Sequence, residues 1–215
     1  FGRTARLAKR WRVLVRGEQD PYDTYEWLES VHAAHGLKAR YFFLLADRGP
    51  YDRPVDWRQP GMRALVKRLS QSADMGIHPG VASHDSGDAE RLKAEISRMK
   101  GLSNVPVQHA RQHYLLQRIP STWRRLEAAG IHHDHSLGYA DHIGFRAGMS
   151  RPFRAFDATS NRMLNLTIHP VSAMDATLNR YMGLTPGRAL DALEQLAREV
   201  KDVEGQLTLL WHNET

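Results

Sequence analysis

The chain of 215 residues contains no cysteine. Disulfide frameworks, zinc–thiolate sites, iron–sulfur clusters and cysteine nucleophiles all need that side chain, so all four are excluded. Histidine and carboxylate remain as metal ligands. The chain has 12 histidines, a high number for its length. Any metal site should therefore be built from imidazole and carboxylate groups.

Long apolar runs are also missing. The longest runs, such as residues 41–46, are far shorter than the roughly 20 residues that a membrane-spanning helix needs. We therefore expect no membrane span. No glycine-rich phosphate loop of the GxGxxG or GxxxxGK[ST] type follows a predicted strand, which disfavours a Rossmann or P-loop nucleotide site.

The net charge is positive, with 30 basic against 24 acidic side chains, or +6. Six of the basic residues fall within residues 3–16. Such a cluster can bind phosphate groups or a membrane surface, but it is also typical of a solvated helix face, which is the interpretation we prefer. No nucleic-acid motif accompanies the cluster, so we predict no nucleic-acid partner.

Strand and helix signals alternate along the chain. The predicted strands are 39–46, 75–78, 107–116, 131–137, 163–168 and 206–211. The predicted helices are 20–35, 61–73, a helix from Ser86 or Asp88 to Gly101, 121–129 and 185–203, while 138–161 is predicted to be irregular. Short strand–helix–strand connections are typical of parallel βαβ units, so the pattern predicts an α/β barrel or a doubly wound sheet.

Reactive side chains stand at the ends of most predicted strands. In parallel α/β folds the carboxyl ends of the strands and the loops after them form the active site. A single histidine at such a place is more often structural, but several at one edge of a sheet predict a functional cluster. The strand-end residues are His78, then His109, Arg111 and His113, then Asp134, His169 and His212.

Several motifs together resemble the NodB-like polysaccharide deacetylase family, in the branch with a GxHP second motif. They are DPYDTYE at 20–26, GIHP at 76–79, RQHYL at 111–115, DHSLGYA at 134–140 with GFRAG at 144–148, PF at 152–153, MDATL at 174–178 and LWHNE at 210–214. The resemblance covers about residues 20 to 214. It implies a distorted (β/α) barrel that removes acetyl groups from the amino sugars of a glycan with a divalent metal, expected to be zinc.

The resemblance assigns the metal and catalytic residues. His78 matches the first metal histidine, while the usual second histidine, four residues later, is replaced by Ala82. His84 is the nearest substitute, and it either reaches the metal or is exposed to solvent. Arg111 matches the arginine that walls the site and orients the base. His212 matches the late histidine that acts as general acid.

The remaining assignments concern the fourth motif and the substrate. Asp134 falls in the fourth-motif region and is expected to orient a catalytic histidine. His113 and Tyr114 of the third motif, together with Trp211 and Arg146, are expected to bind substrate, since sugars need stacking surfaces and hydrogen-bond donors.

The family's first strand ends in Asp-x-Asp, which supplies the base and one metal ligand, and no such strand precedes residue 20. We expect it upstream of Phe1, so that residues 1–215 form a single catalytic-type domain without its first strand. Two alternatives stay open. The alternation of His109, Arg111 and His113 favours another metal-dependent amidohydrolase. The missing second histidine and the missing Asp pair favour a non-catalytic carbohydrate-binding barrel with a decayed metal site.

Overall fold

A computed structural model describes residues 11–13, 15–18, 20, 22–85 and 89–212. The chain divides into two compact units, residues 1–39 with 211–215 and residues 40–210. Most of the basic cluster at 3–16 lies outside the described residues, as does the predicted start of the helix at Ser86 or Asp88. The single catalytic-type domain over 1–215 stays a prediction.

The first unit contains helix α1, Tyr25–Ala34. The predicted start at Asp20 was wrong. The Asp20 carboxylate accepts the backbone N–H of Tyr22 at 3.1 Å, and its carbonyl oxygen accepts the N–H of Asp23 at 2.9 Å. Such local bonds make a turn, so the helix begins one turn later.

The second unit contains a six-stranded sheet of order β1-β2-β3-β4-β6-β5. The strands are β1 (Arg40–Phe43), β2 (Asp74–Ile77), β3 (His109–Ala110), β4 (His133–Asp134), β5 (Phe153–Asp157) and β6 (Arg162–Ile168). All neighbours pair in parallel except β5, which is antiparallel to β6. Strands β7 (Ala173–Met174) and β8 (Leu209–Leu210) form a parallel pair. The mixed α/β fold with a parallel sheet is confirmed. Among the described residues the six-stranded sheet is open, so the closed barrel stays an expectation.

Helices connect the strands. They are α2 (Pro60–Leu69), α3 (Val81–Asp85), α4 (Ala89–Ser103), α5 (Ser121–Ala128) and α6 (Pro186–Asp202), with a 3₁₀ turn at His113–Leu115 and a π turn at Thr177–Tyr181. Thr185 is the N-cap residue of α6 and Pro186 fills its first position, as predicted. No helix within the described ranges is long and apolar enough to cross a membrane.

The predicted strand 107–116 was too long. Strand β3 ends at Ala110, and Tyr114 and Leu115 have left-handed φ angles of 57° and 54°. An extended strand cannot contain such residues. The prediction that His113 lies on a strand with His109 was therefore wrong. His113 is carried instead by the turn that follows β3. Strand β5 lies inside the stretch that was predicted to be irregular.

The sheet register separates a buried face from a more polar one. Ile77, Ala110, Asp134 and Ile168 are paired across β2, β3, β4 and β6, and each is 0% exposed. The preceding positions, Gly76, His109, His133 and Thr167, form the next row. Because successive side chains of a strand point to opposite faces, these histidines lie on the other side of the sheet.

Candidate active site

Four strand-end residues stand side by side at the carboxyl edge of the sheet, and three of them, His78, Arg111 and His169, were predicted there. The backbone N–H groups of His78, Arg111, His135 and His169 each donate to the last carbonyl of the neighbouring strand, at 2.8 to 3.0 Å. The ladder thus continues for one residue beyond each strand. The structure brings these four residues into one row on the polar face, where the sequence analysis expected a cluster.

His78 and His113 form a close pair beyond that edge. Nδ1 of His78 lies 2.5 Å from the carbonyl oxygen of Arg111, and Nδ1 of His113 lies 2.8 Å from Oδ1 of Asp52. A carbonyl only accepts, so Nδ1 of His78 carries the proton and Nε2 carries the lone pair. The ring centroids are 5.0 Å apart at an interplanar angle of 60°. The pair therefore presents imidazoles whose Nδ1 atoms are already engaged.

Two carboxyl groups hold the turn that carries His78. Asp52 is 2% exposed, and its oxygens accept the N–H groups of Val81 at 3.0 Å and Ala82 at 3.3 Å. Glu95 of α4 accepts the N–H of Gly80 at 3.1 Å, and burial raises the pKa of Glu95 to about 7. A Cβ at Gly80 would lie 2.9 Å from Oδ2 of Asp52. Glycine at this position therefore permits the carboxylate to approach the backbone.

Arg111 is a buried cation beside the pair. Its guanidinium lies 4.6 Å from the centroid of the Phe42 ring, and its Nε has no hydrogen-bond partner among the described residues. Burial lowers the pKa of Arg111 to about 10, while the nearby Asp175 acts to raise it. A Cβ at Gly76 would lie 2.5 Å from Phe42, so glycine there lets the ring lie across β2. This position fits an arginine that walls the site.

Asp134 is fully buried on the opposite face of the sheet. Its carboxylate accepts the Ser136 hydroxyl and the Gln117 amide, and Ser136 in turn accepts the backbone N–H of Gln112 at 2.9 Å. Burial raises the pKa of Asp134 to about 6. These contacts support the backbone directly after Arg111. The expected role of Asp134 toward a catalytic histidine stays a prediction.

The other predicted residues are placed differently. His84 is 4% exposed, with Nε2 3.3 Å from Oγ1 of Thr122, so it is not exposed to solvent and its role as a metal ligand stays a prediction. Tyr114 stacks on His113 with centroids 4.2 Å apart and is 63% exposed. Arg146 is exposed in the segment after β4. Trp211 and His212 are exposed residues of the first unit, and their roles stay predictions.

No family model and no curated protein matches the chain. Among solved structures, it is similar to a provisionally named polysaccharide deacetylase from Mycobacterium smegmatis, with a TM-score of 0.63, 14% identity, and coverage of 90% of this chain and 64% of that one. The mixed α/β fold of this chain is similar to that of a polysaccharide deacetylase. A provisionally named deacetylase involved in O-antigen biosynthesis from Bordetella bronchiseptica gives a TM-score of 0.49, 15% identity, and coverage of 88% and 65%. The chain thus spans slightly less than two thirds of either protein.

The sequence resemblance implies a divalent metal, and the donors present here can be tested against it. Because Zn–N bonds measure about 2.0–2.1 Å, two imidazoles on one ion have centroids roughly 5 Å apart. The pair formed by His78 and His113 meets this, with a separation of 5.0 Å. In the part of the chain that the structure describes, no three His, Asp or Glu side chains gather to hold a metal. His78 and His113 thus have a centroid spacing that two imidazoles on one ion would allow, and a metal role for either residue stays a prediction.

A second histidine cluster lies on the polar face of the six-stranded sheet. We call His109, His133, His135 and His169 the histidine tetrad. Nδ1 of His109 lies 3.1 Å from Nε2 of His135, and Nδ1 of His133 lies 3.0 Å from Nε2 of His169. The two pairs stack, with centroids 4.4 Å apart for His109 on His133 and 4.3 Å for His135 on His169.

The tetrad is built for neutral imidazoles. Each N···N hydrogen bond needs one protonated and one bare nitrogen, which two neutral rings supply. Burial lowers the pKa of His109 to about 3 and that of His169 to about 4, and the positive charge of Arg40 acts in the same direction. The sequence analysis placed His109 and His169 at strand ends but missed their contacts with His135 and His133. The signal within the sequence was the spacing of His133 and His135, which puts both on one face of β4.

Proposed function

We propose that the protein is a metal-dependent hydrolase that removes N-acetyl groups from the amino sugars of a glycan, with zinc as its metal. The observation that supports this most strongly is the pair of His78 and His113 at the carboxyl edge of a sheet whose fold is similar to that of a polysaccharide deacetylase. Both rings hold a hydrogen bond through Nδ1, which is how metal-binding histidines are commonly fixed.

In this proposal His78 and His113 hold the ion. A bound divalent ion would polarise the acetyl carbonyl and lower the pKa of a bound water. We prefer His113 to His84 as the second histidine, because the ring of His113 contacts His78 while Nε2 of His84 faces Thr122. The choice moves His113 from the predicted substrate-binding set to the metal.

The other residues act around that pair. Arg111 keeps its charge in a buried place, where it can orient a carboxylate base by a charge-assisted hydrogen bond. Tyr114 offers an exposed ring beside His113 on which a sugar ring can stack. Trp211 and Arg146 are proposed as further substrate contacts. His212 is proposed to protonate the leaving amine.

Acetate release from N-acetylglucosamine oligomers tests the function. We expect the purified protein to release acetate, to lose this activity on treatment with a chelator, and to regain it when Zn²⁺ is added. An enzyme-coupled acetate assay measures all three states. Binding of the oligomers without acetate release would favour the carbohydrate-binding alternative. Release that a chelator leaves unchanged would overturn the metal-dependent mechanism.

A further inference from the structure

Asp52 belongs to the loop between β1 and α2, for which the sequence analysis assigned no function. It is 2% exposed, and a buried carboxylate is costly unless hydrogen bonds compensate it. The N–H groups of Val81 and Ala82 supply two such bonds and make Asp52 the cap of helix α3. The third partner is Nδ1 of His113, a contact that capping does not require.

The loops after β2 and β3 brace each other at this point. The backbone N–H of His113 donates to the carbonyl of Pro79 at 3.1 Å, and Nδ1 of His78 donates to the carbonyl of Arg111 at 2.5 Å. Asp52 comes from a third loop and bonds both: the start of α3, which follows His78, and the ring of His113. It therefore fixes the two histidines relative to one another.

We propose that Asp52 is a positioning residue that holds His113 in the tautomer with the proton on Nδ1 and the lone pair on Nε2. The Asp52 carboxylate already accepts hydrogen bonds from two backbone N–H groups, and it also accepts one from Nδ1–H of His113. Such a bond orients the ring and makes Nε2 a better ligand. The inference rests on the proposed function, because it concerns the same metal-binding pair.

Nitrogen chemical shifts of the imidazole of His113 test the tautomer directly in the metal-free protein. We expect the wild-type protein to show the Nδ1–H tautomer. Asp52→Asn keeps the shape but not the charge, and we expect it to shift His113 toward a mixture of tautomers. A wild-type His113 with its proton on Nε2, or identical spectra for both proteins, would overturn the positioning role.

Zinc affinity, measured by competition with a chromophoric chelator, gives the second readout. We expect Asp52→Asn to weaken Zn²⁺ binding by about 10- to 100-fold, with the thermal transition showing that the variant is folded. Asp47→Asn is the matched control, because Asp47 lies in the same loop with its side chain 69% exposed and pairs with Arg98; its zinc affinity should equal that of the wild type. If the wild-type protein binds no zinc, the proposed function fails, and the tautomer still decides the role of Asp52.

Discussion

The variant His78→Ala will lose at least about 100-fold in zinc affinity and in acetate release. This loss exceeds the one expected when a residue that only hydrogen-bonds to a metal ligand is removed. The substitution removes one of the two imidazoles of the pair. It also leaves the partly buried carbonyl of Arg111 without this hydrogen bond, which costs about 1 kcal/mol. Zinc titration, the acetate assay and urea unfolding measure the three effects separately.

His84→Ala is the control for this experiment. His84 lies six residues later in the same segment, and its imidazole contacts Thr122. We expect this variant to unfold at lower urea concentration because it creates a cavity in a buried place. Its zinc affinity should match that of the wild type. Loss of zinc by His84→Ala together with retention by His78→Ala would reverse the assignment of the ligands.

The histidine tetrad will make the protein sensitive to acid. The pKa of His109 is lowered to about 3 and that of His169 to about 4 in the folded protein, against about 6.5 in an unfolded chain. Below pH 6.5 the unfolded chain therefore binds more protons, so the stability contributed by the neutral tetrad falls as the pH falls toward those folded values. Arg40 and His132 add positive charge around the tetrad, and Asp74 opposes them.

Two buried carboxyl groups act in the opposite direction. The pKa of Glu95 is raised to about 7 and that of Asp134 to about 6, so acidification protonates them in the folded state and favours folding. The total pH dependence therefore mixes both effects. A comparison of the wild type with a variant that lacks His109 and His169 isolates the contribution of these two histidines.

The double variant His109→Gln, His169→Gln supplies this comparison, because glutamine forms hydrogen bonds without titrating in this range. When the pH is lowered from 7.5 to 4.5, the unfolding free energy of the wild type should fall by about 2 kcal/mol more than that of the variant. This figure is reduced for the partial exposure of the rings. Urea unfolding at each pH measures it. His35→Gln, at the exposed end of α1, should show no relative change. Parallel pH profiles for wild type and double variant would refute the effect of the tetrad.

Local signals predicted much of the fold. The N-cap Thr185 and Pro186 located helix α6 within one residue, and apolar runs located the parallel strands whose carboxyl ends carry the site. The edge strand β5 was missed, because an edge strand in a glycine-rich stretch alternates between exposed and buried positions and has no long apolar run. The predicted end of the strand 107–116 was too late, because the chain turns there through the left-handed residues Tyr114 and Leu115.

The contacts that make the site are long-range. Asp52 and His113 are 61 positions apart, and no local pattern in the loop identifies Asp52 as the hydrogen-bond partner of His113. The alternation along β4 put His133 and His135 on one face, but the register with β3 and β6 was needed to bring His109 and His169 beside them. The predicted strand 75–78 placed His78 at the carboxyl edge, while the closeness of His113 emerged only from the folded turn.

Anomalous diffraction at the zinc edge, from crystals of the protein grown with Zn²⁺, tests the proposed metal pair most directly. The proposal predicts a peak about 2.0–2.1 Å from Nε2 of both His78 and His113, with Nδ1 of His113 still bonded to Asp52. A peak beside His84, or no peak beside His78, would contradict it.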